Sequence, residues 1–189
     1  MKLLSPLVLV SLGLQAALAQ SPQIVDFQGE HLRQLPTDLW QRTATRQLVL
    51  NGNELTQLPA EIARLQNLEV LWLGKNRLQG LPDELAGLPH LQDVDLSQNG
   101  MSECWPVLTR LRGLRNLALR GNALNQVPDA LLALPQLEVL DLSQNQLTGL
   151  SASARPGPKL KVLNLSANPI SAMEAERIRK AFAGVDLVF

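Results

Sequence analysis

The chain has 189 residues, 46% hydrophobic but only 3% aromatic, with no Tyr, one Cys and 17 basic residues against 17 acidic ones. That length suits one domain, and the balanced charge excludes the broad basic field that would make nucleic acid or an anionic membrane a default partner. Leu fills 42 positions, so one branched aliphatic shape must build the core again and again, and a single Cys cannot close a disulfide within the chain.

The chain opens on Met1-Lys2, runs mostly apolar from Leu3 to Ala17 and ends this stretch with Ala17-Leu18-Ala19. A charged start, an apolar middle and a small-x-small site are the order of a secretory signal, so residues 1–19 are expected to be cleaved after Ala19. An uncleaved anchor fits less well, because Ser5, Pro6, Ser11 and Gln15 interrupt a run shorter than the roughly 20 residues of a spanning helix. No Cys follows Ala19 to accept a lipid, and no later stretch is apolar enough to span. Residues 20–189 are therefore expected to be secreted or periplasmic, with no integral membrane segment after signal removal.

From there the chain repeats. Asn53, Asn76, Asn99, Asn122, Asn145 and Asn168 are spaced by 23 residues without a slip. Around them runs one frame: Leu48-x-Leu50-x-x-Asn53-x-Leu55-x-x-Leu58-Pro59-x-x-Ile62-x-x-Leu65, then Leu71-x-Leu73-x-x-Asn76-x-Leu78-x-x-Leu81-Pro82-x-x-Leu85-x-x-Leu88. One period earlier, Val25, Phe27, Leu32, Leu35 and Pro36 keep the frame with Glu30 in the Asn slot, which makes seven turns over residues 22–169. Alternating Leu-x-Leu predicts a short strand buried on one face, and apolar residues three apart after the Pro predict a short helical or 3₁₀ return. The Asn column is predicted to be structural, because an amide can donate to and accept from the backbone groups that a sharp turn bares.

Two turns depart from the frame. Cys104-Trp105-Pro106 stands in the Leu-Pro slot, which makes Cys104 a buried apolar residue in the simplest reading and an exposed thiol in the alternative. Leu150 to Pro158 lacks the large apolar residues of the return and is predicted to be an irregular loop. At the end, Ser171-Ala172-Met173-Glu174 reads as a capping box, with Met173, Ile178, Ala181 and Phe182 as the apolar stripe of a helix. Gly184 then stops the helix and Val185–Phe189 forms a short strand, so residues 170–189 cap the stack.

The frame resembles the leucine-rich repeat family, in the 23-residue Leu-Pro form of its plant-intracellular or Ras-suppressor class. Asn168-Pro169-Ile170-Ser171 to Phe189 resembles the terminal segment of many bacterial and intracellular members. The resemblance implies an α/β solenoid with a curved parallel sheet on the concave face and short helical segments on the convex one. Extracellular animal members usually carry cysteine-bonded caps, which this chain lacks, so a bacterial source is the better expectation.

Function then falls to the outward strand positions, which packing does not dictate. Trp72, beside Val49 and Val70 and near Asp93 and Asp95, has the pattern of an aromatic anchor with a polar surround, and Gly74 is read as leaving space next to it. Asn116, Arg120 and Asp141 complete the expected partner-binding set. The reading is an exported, non-catalytic, monomeric module that binds a protein, with no nucleic acid, cofactor or metal; the alternative is an envelope scaffold that binds wall polymer or itself through the outer arc and Trp105. Asp93 and Asp95, roughly 6.5–7 Å apart, approach a glycosidase spacing, but an open sheet has no walls to raise one carboxyl's pKa. His31 and His90 have no partner at metal-ligand spacing, and the Asn164-Leu165-Ser166 sequon is read as unused.

Overall fold

The computed structural model describes residues 23–189 except Cys104, so the signal reading of residues 1–19 and both readings of Cys104 lie outside the described residues. Eight three-residue strands follow the repeat: β1 Ile24–Asp26, β2 Gln47–Val49, β3 Val70–Trp72, β4 Asp93–Asp95, β5 Asn116–Ala118, β6 Val139–Asp141, β7 Val162–Asn164 and β8 Asp186–Val188. They form one parallel sheet in chain order. Each strand pairs with the next at an offset of 23, as in Leu48 with Leu71, until the last pair, where Leu163 meets Leu187 at 24.

The returns are tight because each must cross the convex side in a few residues. Thr37–Gln41, Ala60–Arg64, Asp83–Gly87 and Pro106–Arg110 are 3₁₀ turns, and Asp129–Leu132 is a single α-helical turn, α1. Pro59, Pro82 and Pro128 precede three of them in extended conformation, and Trp105 takes the same shape at φ −66°, ψ 136°. The expected loop at Leu150–Pro158 is irregular, with buried Ala154 filling the space a large residue takes elsewhere. Between strands and returns lies one continuous core of Leu, Val and Ile.

The Asn column holds the turns together. Asn99 Oδ1 accepts the Leu78 N–H at 3.1 Å, while its Nδ2 donates to Leu73 O at 3.0 Å in the previous turn and Leu96 O at 3.1 Å in its own. Asn53, Asn76, Asn122, Asn145 and Asn168 repeat the arrangement. The residue before each Asn is left-handed: Gly52, Lys75, Gln98, Gly121, Gln144 and Ala167 have φ between 54° and 72°. Only two of those six are Gly, so the ladder's geometry is kept at some backbone cost.

Residues Ala172–Ala181 form the capping helix α2, with Ser171 Oγ accepting the Glu174 N–H at 3.2 Å. The helix buries Ala175 and Ile178, with Phe182 just beyond it. Met173, expected on that stripe, is 83% exposed, because the helix turns its Ala175–Ile178–Phe182 side to the last repeat. Gly184, at φ 92°, reverses the chain into β8, which extends the sheet.

Candidate concave binding face

Parallel pairing at a constant offset stacks equivalent residues into columns about 4.8 Å apart. The middle residue of each strand points into the core, so the first and third face the concave side. On β3 to β6 these are Val70 and Trp72, Asp93 and Asp95, Asn116 and Ala118, Val139 and Asp141. A shallow depression of about 530 Å³ is lined by Val70, Trp72, Asp93, Asp95, Asn116, Ala118, Val139 and Asp141, with Gln47 at one edge.

Its shape follows from side-chain size. Ala118 sits in register between Asp95 and Asp141, and its single methyl leaves the floor low where its neighbours rise. Trp72, 38% exposed, and Val70 form one wall, and Val139, 37% exposed, stands on the far side.

The carboxylates are held by local bonds. Asp95 Oδ1 accepts the Ser97 N–H at 2.8 Å, and Asp141 Oδ1 accepts the Ser143 N–H at 2.9 Å. Asp26 does the same for Gln28, and Asn164 for Ser166 at 3.1 Å, so this column also closes the bend after each of these four strands. Asp93 Oδ1 accepts from Asn116 Nδ2 across one strand pair. Among the described residues, none of Asp93, Asp95 and Asp141 is ion-paired within 4.0 Å.

Gly74 does not leave the open space that the sequence suggested. A Cβ there would lie 2.8 Å from Asp95 Oδ2 and 3.4 Å from Asn51 Oδ1, and the Gly74 N–H donates to Asn51 Oδ1 at 2.7 Å. Gly is present so that these two side chains can close over the backbone.

The structure brings together six of the eight residues expected to bind: Val70, Trp72, Asp93, Asp95, Asn116 and Asp141. Val49 is not accessible; flanked in register by Asp26 and Trp72, it is 4% exposed and has no surface to offer. Arg120 lies in an adjoining depression of about 540 Å³ with Gln28, Asn51, Gly74, Lys75, Ser97 and Gln98, where its Nε donates to Gln144 Oε1 at 3.2 Å. Asp95 borders both depressions. Val139 and Ala118, also on outward strand positions, were not among the expected residues, and it is the shared depression that brings them in.

Other chemistry-bearing residues stand apart. His31 and His90 are exposed, and among the described residues no group of three or more His, Cys, Asp or Glu is arranged to hold a metal ion. Trp105 is half-buried against the core at a lateral groove with Arg77, Met101 and Glu103. The flank of the sheet carries Arg46, Glu69, Arg115, Glu138 and Lys161 in one column, where Arg46 pairs with Glu69 at 3.0 Å and Lys161 with Glu138. The Lys161 hydrogen bond, followed by its charge, holds the Glu138 carboxyl below its usual value. No described helix is long and apolar enough to cross a membrane.

The leucine rich repeat family model matches residues 43–101 and 112–175, well over half of the chain. Among solved structures, a leucine-rich repeat protein of Leptospira interrogans is 33% identical with a TM-score of 0.77, covering 84% of this chain and 41% of that one. The TLR13 chain in a complex with ssRNA13 is 30% identical with a TM-score of 0.64, covering 69% of this chain and 19% of its own. The leucine-rich repeat domain of APL1B, 22% identical with a TM-score of 0.69, covers 99% of this chain and 59% of that one, and shows likeness of fold. The chain thus spans well under half the length of the first two structures. No curated protein matches the sequence significantly.

Proposed function

The chain belongs to the leucine-rich repeat family, and from that premise we propose that it is an exported, non-catalytic module that binds a protein through the depression on its concave sheet. The family fold commonly serves protein–protein binding, with the concave sheet as the extended contact surface. The observation that carries the reading is the join of an exposed Trp72 to a low floor at Ala118 and a rim of unpaired carboxylates. Interfaces favour this combination: an aromatic that buries much area at small entropic cost, set among polar groups that exclude wrong partners. Export rests on the signal-like order of residues 1–19.

A polyanion suits this face poorly. The TLR13 structure is a complex with single-stranded RNA, whereas the eight strands here hold Asp26, Asp93, Asp95, Asp141 and Asp186 and not one Lys or Arg. Phosphate would meet like charge on four of the eight strands and no strand cation to offset it.

Affinity capture from envelope and culture extracts tests the proposal, with the native protein run beside a Trp72→Ala/Ala118→Arg variant. Ala118→Arg fills the floor without breaking any side-chain hydrogen bond, so the variant should melt near the native temperature. The expected result is a protein retained by the native chain and lost by the variant. Equal retention by both would move the binding site off the concave face.

A further inference from the structure

The chain is neutral overall, yet its charges are not mixed evenly. Of 17 acidic residues five lie on the sheet strands, and of 17 basic residues none does. The basic side chains sit instead on the turns, flanks and cap, where many are already paired: Arg46 with Glu69, Arg110 with Asp83, Lys161 with Glu138, Arg177 with Glu174. The strands themselves therefore carry five negative charges and no positive one, with Arg46, Arg115, Arg120 and Lys161 at or just beyond their ends.

The geometry within the depression is more specific than that field. Asp95 and Asp141 flank Ala118 in register, two strands apart, which sets the carboxylate-bearing backbones roughly 10 Å from each other with only a methyl between them. Each uses Oδ1 on its own turn and, among the described residues, neither Oδ2 is hydrogen-bonded to another side chain, with Asp95 Oδ2 lying over Gly74. Asp93 stands two residues from Asp95 on the same strand face. Arg120, two residues beyond β5, is held by Gln144 and opens into the adjoining depression, while Arg115, directly before β5, lies near Glu138 on the flank. A cationic group lowered onto Ala118 would find carboxylates on both sides, and an apolar neighbour along the same extended segment would lie against Trp72 and Val70. The indole face next to the site also attracts a cation.

We propose that the occupant of this depression is an extended peptide segment of a partner protein carrying Lys or Arg next to an apolar residue. The proposal rests on the concave-face reading above and specifies its ligand.

A random library of extended octapeptides, retained on the native protein at low salt and eluted at high salt, tests it. Neutralising the rim is structurally mild, since Asn164 already closes the same bend by accepting the Ser166 N–H. The variant Asp93→Asn/Asp95→Asn/Asp141→Asn should therefore fold, and its melting curve checks that. Expected are at least tenfold enrichment of Lys or Arg beside Leu, Ile, Val or Phe, and at least a tenfold drop in affinity of a selected peptide for the triple variant, steepest at low ionic strength. Selection of neutral or acidic peptides that Trp72→Ala/Ala118→Arg still abolishes would overturn the cationic occupant while leaving the binding face intact. Cationic peptides held equally by the triple variant, or no peptide retained at all, would also overturn it; the capture experiment then judges the concave face separately.

Discussion

Glu174 of the capping helix occupies the space that a side chain at Gly149 would need. A Cβ at Gly149 would lie 2.7 Å from Glu174 Cδ and 2.8 Å from its Cγ, while Glu174 Oε1 accepts the Leu150 N–H at 3.2 Å. Arg177 completes the clamp, donating from Nε to Glu174 Oε2 at 2.8 Å and from Nη2 to Leu150 O. Sequence reading placed Glu174 in a capping box, and Ser171 does cap Glu174, but the carboxylate itself reaches across to the last repeat.

Gly149→Ala should push this carboxylate off Leu150 and unseat the cap. The half-buried groups left without partners predict a cost of about 1 kcal/mol, at roughly 2–4 °C of Tm per kcal/mol for a domain of this size. In a Glu174→Ala background the same change should cost much less. Equal losses in both backgrounds, measured by thermal melts as a double-mutant cycle, would show that the two residues are not coupled.

The clamp also sets a pH dependence. The Arg177 hydrogen bond is the main reason the Glu174 carboxyl is held below its usual value, with the Leu150 N–H and Arg177's charge adding to it against burial. A lowered carboxyl binds fewer protons folded than unfolded, so its contribution is complete above the unfolded value near about 4.3 and fades as pH falls through the folded one. The native chain should lose Tm across that window more steeply than Glu174→Gln, and the two curves should converge at lower pH. Parallel curves would remove Glu174 from the account.

Asn99→Ala removes four side-chain bonds at once and strands Leu78 N, while Leu73 O and Leu96 O keep only Asn76 Nδ2 and Asn122 Nδ2 as side-chain donors. The expected cost is about 1–3 kcal/mol, since a buried backbone N–H must then go unpaired. Chemical denaturation of the variant, showing an unchanged midpoint, would deny the ladder its structural role.

Ala167 adopts φ 54° immediately before Asn168, a conformation unfavourable to any residue with a Cβ. Ala167→Gly should stabilise the chain by about 0.5–1 kcal/mol, the gain from relieved strain exceeding the added freedom of the unfolded chain. A lower Tm would show that this turn is not strained.

Gly74→Ala should weaken binding on the concave face more than stability. Its methyl group would crowd Asp95 Oδ2 at 2.8 Å and move that carboxylate, which stands at the boundary of both depressions. Affinity for a selected cationic peptide should fall severalfold with the melting temperature near native; unchanged affinity would place Asp95 outside the contact.

The stack could be read from the repeat alone. A 23-residue period with Leu at alternate strand positions and Asn at each bend leaves the chain one way to bury its apolar groups, so the strand columns, the returns, the irregular arc at Leu150–Pro158 and the capping helix were all legible. Periodicity reports which side a strand residue faces, because that depends only on its own turn. It does not report how far a side chain reaches or what its neighbours two and three turns away leave open. Those relations decided that Val49 is covered, that Met173 faces solvent, that Gly74 is enclosed by Asp95 and Asn51, and that Arg120 parts from the other expected residues. They also made a depression out of one small residue, Ala118, standing between two aspartates.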